Sequence, residues 1–159
     1  MRRILGVDPG SDESAYCLLN SDLSIALAGK LPNGEFMTFI RALNDHDEVV
    51  VEGMRGMGKR VGHETFDTAY MVGRVQETSE ARGLPCTVYH RPDYLHPLCG
   101  GRPPAGKSDA TLWACLKVRF GGSEKGEALR PLVSATDLRS AFAVAVWHSD
   151  STRKGAVKK

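Results

Sequence analysis

The sequence predicts an α/β protein built on a mixed sheet of five strands with helices on both faces. Two observations carry that reading. Three short apolar runs open the chain at 4–7, 15–19 and 24–29, separated by DPGS and NSD turn signals, which is the pattern of an antiparallel meander. Strand-like and helix-like periods then alternate, as parallel βαβ units require, and joining the two parts gives a mixed sheet.

Composition sets the limits. A chain of 159 residues, 42% hydrophobic and 25% charged, makes one domain with its own core. That domain is expected over 1–150, with a basic flexible tail over 151–159. No apolar run approaches the roughly 20 residues of a membrane span, and MRRILGVDPG lacks a secretory apolar region, so the chain is expected in the cytoplasm. Cys17, Cys86, Cys99 and Cys115 form no CxxC pair, and the five histidines show no ligand spacing. Neither a zinc site nor a disulfide framework is expected. Net charge is only +2, with basic residues concentrated in RGMGKR at 55–60 and in the tail.

After the meander, GEFMTFIRALND places Phe36, Phe39, Ile40 and Leu43 at the i, i+3, i+4, i+7 spacing of an amphipathic helix. EVVVEG is a continuous β-branched run suited to a central parallel strand. A Gly- and Arg-containing loop leads into a helix over about 64–82, closed by Gly83, in which Ala69 and Gly73 are spaced for close approach to a neighbouring element. LPCTVYH reads as a strand. RPDYLHPLCGGRPPAG, rich in Pro and Gly, reads mostly as loop, and KSDATLWACLKVRFGG as a helix stopped by Gly121 and Gly122. SEKGEALRP is polar and expected to be exposed. TDLRSAFAVAVWH is a mainly apolar helix with Asp137 in its first turn.

Two of these apolar strands end on an acid, ILGVD on Asp8 and VVVEG on Glu52. If they lie side by side, both carboxylates reach the sheet edge where open α/β sheets bind ligands. Asp137 is a third candidate. Carboxylates gathered in this way repel unless a divalent cation joins them, and magnesium takes oxygen ligands. Each acid also has a plain structural reading. Asp8 precedes Pro-Gly, a good turn sequence; Glu52 can be a solvated strand end; Asp137 can cap a helix.

ILGVDPGSDESAYCLL resembles the first hairpin of RuvC-type Holliday-junction resolvases, within the ribonuclease H-like superfamily. VVVEGMRGMG resembles the second acidic strand and its junction-facing loop, FDTAYMVGRV the helix that follows, AGKSDATLWACLKVRFGG the lysine-led helix, and DLRSAFAVAVWH the C-terminal acidic helix. The ordered set spans about residues 2–150 and looks most similar to phage-encoded members.

The resemblance implies that Asp8, Glu52 and Asp137 bind metal, two Mg²⁺ per site with Mn²⁺ as a substitute, and that Lys107 approaches the scissile phosphate. The family's fourth acid falls on Ser140, a departure that puts the strength of metal binding in doubt. Met54 and Arg55 match the loop inserted at the junction centre, and Arg55, Lys59, Arg60, Lys107 and Lys117 are the expected DNA contacts. The implied reaction is metal-dependent hydrolysis of branched DNA by a homodimer, with the helix over 64–82 as its interface. Two alternatives are a YqgF-type nuclease acting on RNA and a junction-binding protein that has lost catalysis.

Overall fold

Side chains alternate between the faces of a strand, and that period decides which residues of the first hairpin face which helices. In the computed structural model, which describes residues 2–54, 62–121 and 127–156, the meander is β1 (Ile4–Asp8), β2 (Glu13–Leu19) and β3 (Ile25–Pro32), paired antiparallel in sequence. β4 (Glu48–Gly53) lies parallel to β1, and β5 (Cys86–His90) parallel to β4, so the sheet order is β3-β2-β1-β4-β5. β1 and β4 are thus central strands. Their apolar runs are buried on both faces, as parallel central strands require.

Leu5 and Val7 of β1 and Val49 and Val51 of β4 face α1 (Asn33–Arg41) and α2 (His63–Ala81), which cover them with Phe36, Met37, Ile40, Met71, Val72 and Val75. The opposite face carries Ile4 and Val50. It is covered by α5 (Thr136–Ala156), with α3 (Arg91–Leu98) and α4 (Ser108–Phe120) outside it. Helices on both faces of a mixed five-stranded sheet are what the sequence predicts.

Three local expectations need correction or extension. RPDYLHPLCGGRPPAG, mostly loop by composition, contains α3. Pro92 stands in its first turn, where a missing N–H costs nothing, and the backbone N–H of His90 donates to Asp93 Oδ2 at 2.8 Å to cap it. Gly100, at φ 69°, takes the left-handed conformation just past its end. The segment expected to be exposed near 127 contains a 3₁₀ turn, Glu127–Leu132, whose Leu129 and Leu132 are buried against α5. Finally, α5 continues beyond Asp150 to Ala156, into the segment assigned to the tail, and Arg153 Nη2 donates to the Ser21 carbonyl at 2.6 Å.

Candidate active site

The register of the sheet assembles the site. Asp8 is opposite Ala15, and Ala15 is opposite Lys30. On the other side Val7 is level with Val51, which sets Asp8 beside Glu52, and Glu52 is level with Tyr89. One row therefore crosses all five strands in the order Lys30, Ala15, Asp8, Glu52, Tyr89. Adjacent strands are about 4.8 Å apart, so the two strand-end carboxylates are immediate neighbours.

α5 brings in the third. A Cβ placed on Gly6 would lie 1.9 Å from the Ala141 carbonyl oxygen and 2.9 Å from the Ala145 Cβ. The helix backbone therefore rests directly on β1. Asp137 is one turn before Ala141 on the same helical face, and this close packing carries it over the row. Lys30 reaches past the small Ala15 to meet it, Nζ to Asp137 Oδ2 at 2.7 Å.

α3 contributes donors. The Tyr94 hydroxyl, fully buried, donates to Glu52 Oε2 at 2.7 Å. Arg91 Nη1 faces Glu52 Oε1 at 3.4 Å and donates to the Ser140 hydroxyl at 3.0 Å, while its Nη2 donates to Asp109 in the first turn of α4. Ser140 is 2% exposed and points into the site, as its spacing from Asp137 predicts.

Asp8 differs from its neighbours. No side-chain hydrogen bond reaches it among the described residues. Burial first, then the negative charges of Glu52 and Asp137, push its carboxyl up to about 8, against the opposing pull of Arg91 and Lys30. Tyr94 is raised well above its ordinary value, by burial and then by Glu52. Among the described residues, no three His, Cys, Asp or Glu side chains stand close enough to hold an ion together. The three acids share one field, but Glu52 and Asp137 are turned to Tyr94, Arg91 and Lys30. The donor set is nonetheless that of a hard divalent cation: carboxylate and hydroxyl oxygens around one acid that has no side-chain hydrogen bond among the described residues and is raised by like charges.

Of the other expected residues, Met54 directly follows β4 at this edge and is 44% exposed. Lys107 is the exposed N-cap of α4, two residues before the Asp109 that Arg91 holds, so it belongs to the rim of the site. Lys117 does not: it lies nearly three turns further along α4, with its ammonium 5.7 Å from the centre of the Trp113 ring. Arg55, Lys59 and Arg60 lie outside the described residues. The sequence reading missed Lys30, Arg91, Tyr94 and Asp109. Arg91 and Tyr94 lie in RPDYLHPL, whose prolines read as loop, although Pro in the first turn with Asp at the third position is a helix-start signal.

No family model matches the sequence, and no curated protein matches it at the sequence level. Solved structures do match. RuvC of Thermus thermophilus in complex with a Holliday junction substrate superposes with a TM-score of 0.69 at 14% identity, covering 96% of each chain. A second Thermus thermophilus RuvC structure gives 0.67 at 17% identity, also covering 96% of each chain. The chain has the RuvC fold over nearly its whole length.

Proposed function

We propose that this protein is a divalent-metal-dependent endonuclease that resolves four-way or otherwise branched DNA junctions. One observation carries the proposal: within a RuvC fold, β1, β4 and α5 deliver Asp8, Glu52 and Asp137 to one sheet edge, where burial and mutual repulsion leave Asp8 in want of a cation. These three carboxylates would hold Mg²⁺ or Mn²⁺, which when bound supplies an activated water and a counter-charge for the leaving 3′ oxygen.

The chain's own part is positional. Tyr94 fixes Glu52 from below, so that its carboxylate presents the same face to the edge. Lys30 holds Asp137 and is freed to meet a backbone phosphate when that carboxylate turns to a cation. Lys107, at the rim, binds the phosphate flanking the scissile bond, and Met54 lies where the junction centre would pass. Arg55, Lys59 and Arg60 extend the phosphate-binding surface, and Lys117, away from the rim, takes no part in it. The products carry a 5′ phosphate and a 3′ hydroxyl.

Symmetric cutting of a junction needs two sites related by a two-fold axis. α2 supports a homodimer. Phe66 and Tyr70 are 65% and 71% exposed, and Ala69 and Gly73 share their outward face, with nothing within 4 Å of a Cβ built on Gly73. Bulky and small residues at i, i+3, i+4 and i+7 fit the same face of a second copy. Among the described residues no helix is long and apolar enough to cross a membrane.

The Arg91 to Ser140 contact favours a second reading, a junction-binding protein without catalysis, because a neutral hydroxyl stands where a fourth carboxylate would complete the ligand set. Incubating the protein with end-labelled four-way junction, linear duplex, flap and structured RNA, in Mg²⁺ and in Mn²⁺, separates the readings. Paired symmetric nicks in the junction alone are expected. Tight junction binding without nicks selects the second reading, and cleavage of RNA alone selects a nuclease of the YqgF type.

A further inference from the structure

Arg91 is unusually placed for a surface-rim arginine. Its guanidinium spans the gap between the end of β4 and α5, touching Glu52 Oε1 at 3.4 Å and Ser140 Oγ at 3.0 Å, with Asp109 on its second nitrogen and the Tyr94 hydroxyl at 3.4 Å. Both oxygens of Glu52 thus face a donor, one the tyrosine and the other the guanidinium. An arginine never gives up its charge in a protein, and its planar fork keeps its position once several acceptors engage it. A dication set between Glu52 and α5 would have to displace it, and would find a neutral hydroxyl at position 140 instead of a carboxylate. On the Asp8 side Arg91 and Lys30 act through charge alone, and among the described residues neither forms an ion pair with it. Asp8 receives no side-chain hydrogen bond among the described residues, and Lys30, the other nearby cation, belongs to Asp137.

Resting on the nuclease reading above, we propose that Arg91 is a built-in cation that takes the place of the second of two divalent ions, so that each protomer binds one ion, on the Asp8 side. Arg91 then presents the N–H groups that Glu52, Ser140 and Asp109 leave unengaged to the phosphate when DNA enters. Serine at position 140 follows from this arrangement. A carboxylate there would add a third ion pair to those Arg91 already makes with Glu52 and Asp109, whereas a hydroxyl accepts one hydrogen bond and cancels no further charge.

Titration of the full-length protein with Mn²⁺ in the absence of DNA tests this, with free Mn²⁺ followed by its electron paramagnetic resonance signal. The wild type binds one ion per protomer. Ser140→Asp also binds one, because Arg91 neutralises the new carboxylate. Arg91→Lys, which keeps a positive charge in the same gap, remains at one. Ser140→Asp combined with Arg91→Gln binds two, since a ligand has been added and the competing cation removed. Circular dichroism and thermal unfolding establish that each variant is folded before its ions are counted.

Two ions bound to the wild type overturn the assignment without any variant being needed, and a folded double variant that stays at one ion overturns it as well. The same wild-type preparation is assayed for nicking of a four-way junction in Mg²⁺. Two ions together with nicking sink the role of Arg91 and leave the nuclease reading intact. Absence of both bound Mn²⁺ and nicking sinks the two together.

Discussion

The two ends of the β1 and β4 pair carry similar groups and put them to different uses. At the N-terminal end, Asp47, with no exposed surface, receives a two-pronged contact from Arg3, Nε at 3.0 Å and Nη2 at 2.6 Å, and the backbone N–H of Asn44 at 3.1 Å. Glu48 beside it is met by Arg2 and by His148 Nε2 at 3.3 Å. Burial and the charge of Arg2 lower the His148 value, so the ring is neutral near pH 7; it donates through Nε2 to Glu48 and accepts at Nδ1 from the Tyr89 hydroxyl. Every charge there has its partners. At the C-terminal end three carboxylates face one edge, and among the described residues no side chain donates a hydrogen bond to Asp8. A buried acid is therefore not in itself a sign of function. What separates the two ends is whether the fold supplies the donors or leaves them for a ligand.

That contrast makes opposite predictions for conservative changes at Asp8 and Asp47. Asp8→Asn keeps volume and packing but removes the carboxylate with greatest need of a cation, so junction nicking should fall by about 10³-fold or more, the worth of several kcal/mol of transition-state stabilisation. Junction binding should stay equal or increase. Asp47→Ala should do the reverse. It strands the half-buried Arg3 guanidinium and a backbone N–H, costing about 3 kcal/mol of stability in urea titrations, while the folded fraction nicks junctions at the wild-type rate. If Asp8→Asn unfolds the chain and Asp47→Ala abolishes nicking in folded protein, the roles of the two ends are exchanged.

Much of this contrast is legible in the sequence. Strands ILGVD and VVVEG announce themselves by apolar runs that end on acids, and Asp137 by its place at the start of an apolar helix, because burial patterns are written in period 2 and period 3.6. The alternation of elements implies a parallel portion, while the pairing of β1 with β4 comes from the sheet order. What was not legible is α3 and everything it carries. Its Pro92, Pro97 and following glycines signal loop by composition, yet Pro92 occupies a helix's first turn, and the helix is held by a tertiary contact: Tyr94 reaching Glu52 across the sheet edge. Lys30 escaped for a different reason. Its role depends on a row of residues across three strands, which no window of sequence contains.

Gly6 sharpens the comparison, because it sets how closely α5 approaches β1 and so where Asp137 lies relative to Asp8. A Cβ there would stand 1.9 Å from a backbone oxygen of α5, a contact that only movement of the helix can relieve. Gly6→Ala should therefore cost about 2 kcal/mol of stability. It should also reduce nicking beyond the loss of folded protein, since Asp137 is displaced while His148, two turns and more further along α5, keeps its link to Glu48. Retained nicking per folded molecule would mean that Asp137 does not need this closeness.

The smallest effect expected is on stability against pH in EDTA, and it concerns Asp8 alone. Its carboxyl titrates near 8 in the folded chain, above the value of about 3.9 for an unfolded aspartate. Between those values the folded state holds the extra proton, so unfolding releases it and the wild type loses stability as pH rises from about 4 towards 8. Below that window the carboxyl is protonated in both states and contributes nothing to the slope; above it the full cost of a buried, repelled carboxylate is present. Asp8→Asn has no such proton. Compared with the wild type it should be equally stable near pH 4 and more stable by on the order of 2 kcal/mol at pH 8, part of the full linkage being screened at the partly open edge. Replacing EDTA with Mg²⁺ should narrow or reverse the difference at pH 8, because a cation bound only to the native wild type stabilises it by mass action. At the N-terminal end Asp47→Asn should produce no gain at any pH, since there the carboxylate already has its donors. A stability difference for Asp8→Asn that is flat from pH 4 to 8, or a comparable gain at Asp47, would show that the two ends of the strand pair are not held in the different electrostatic states described above.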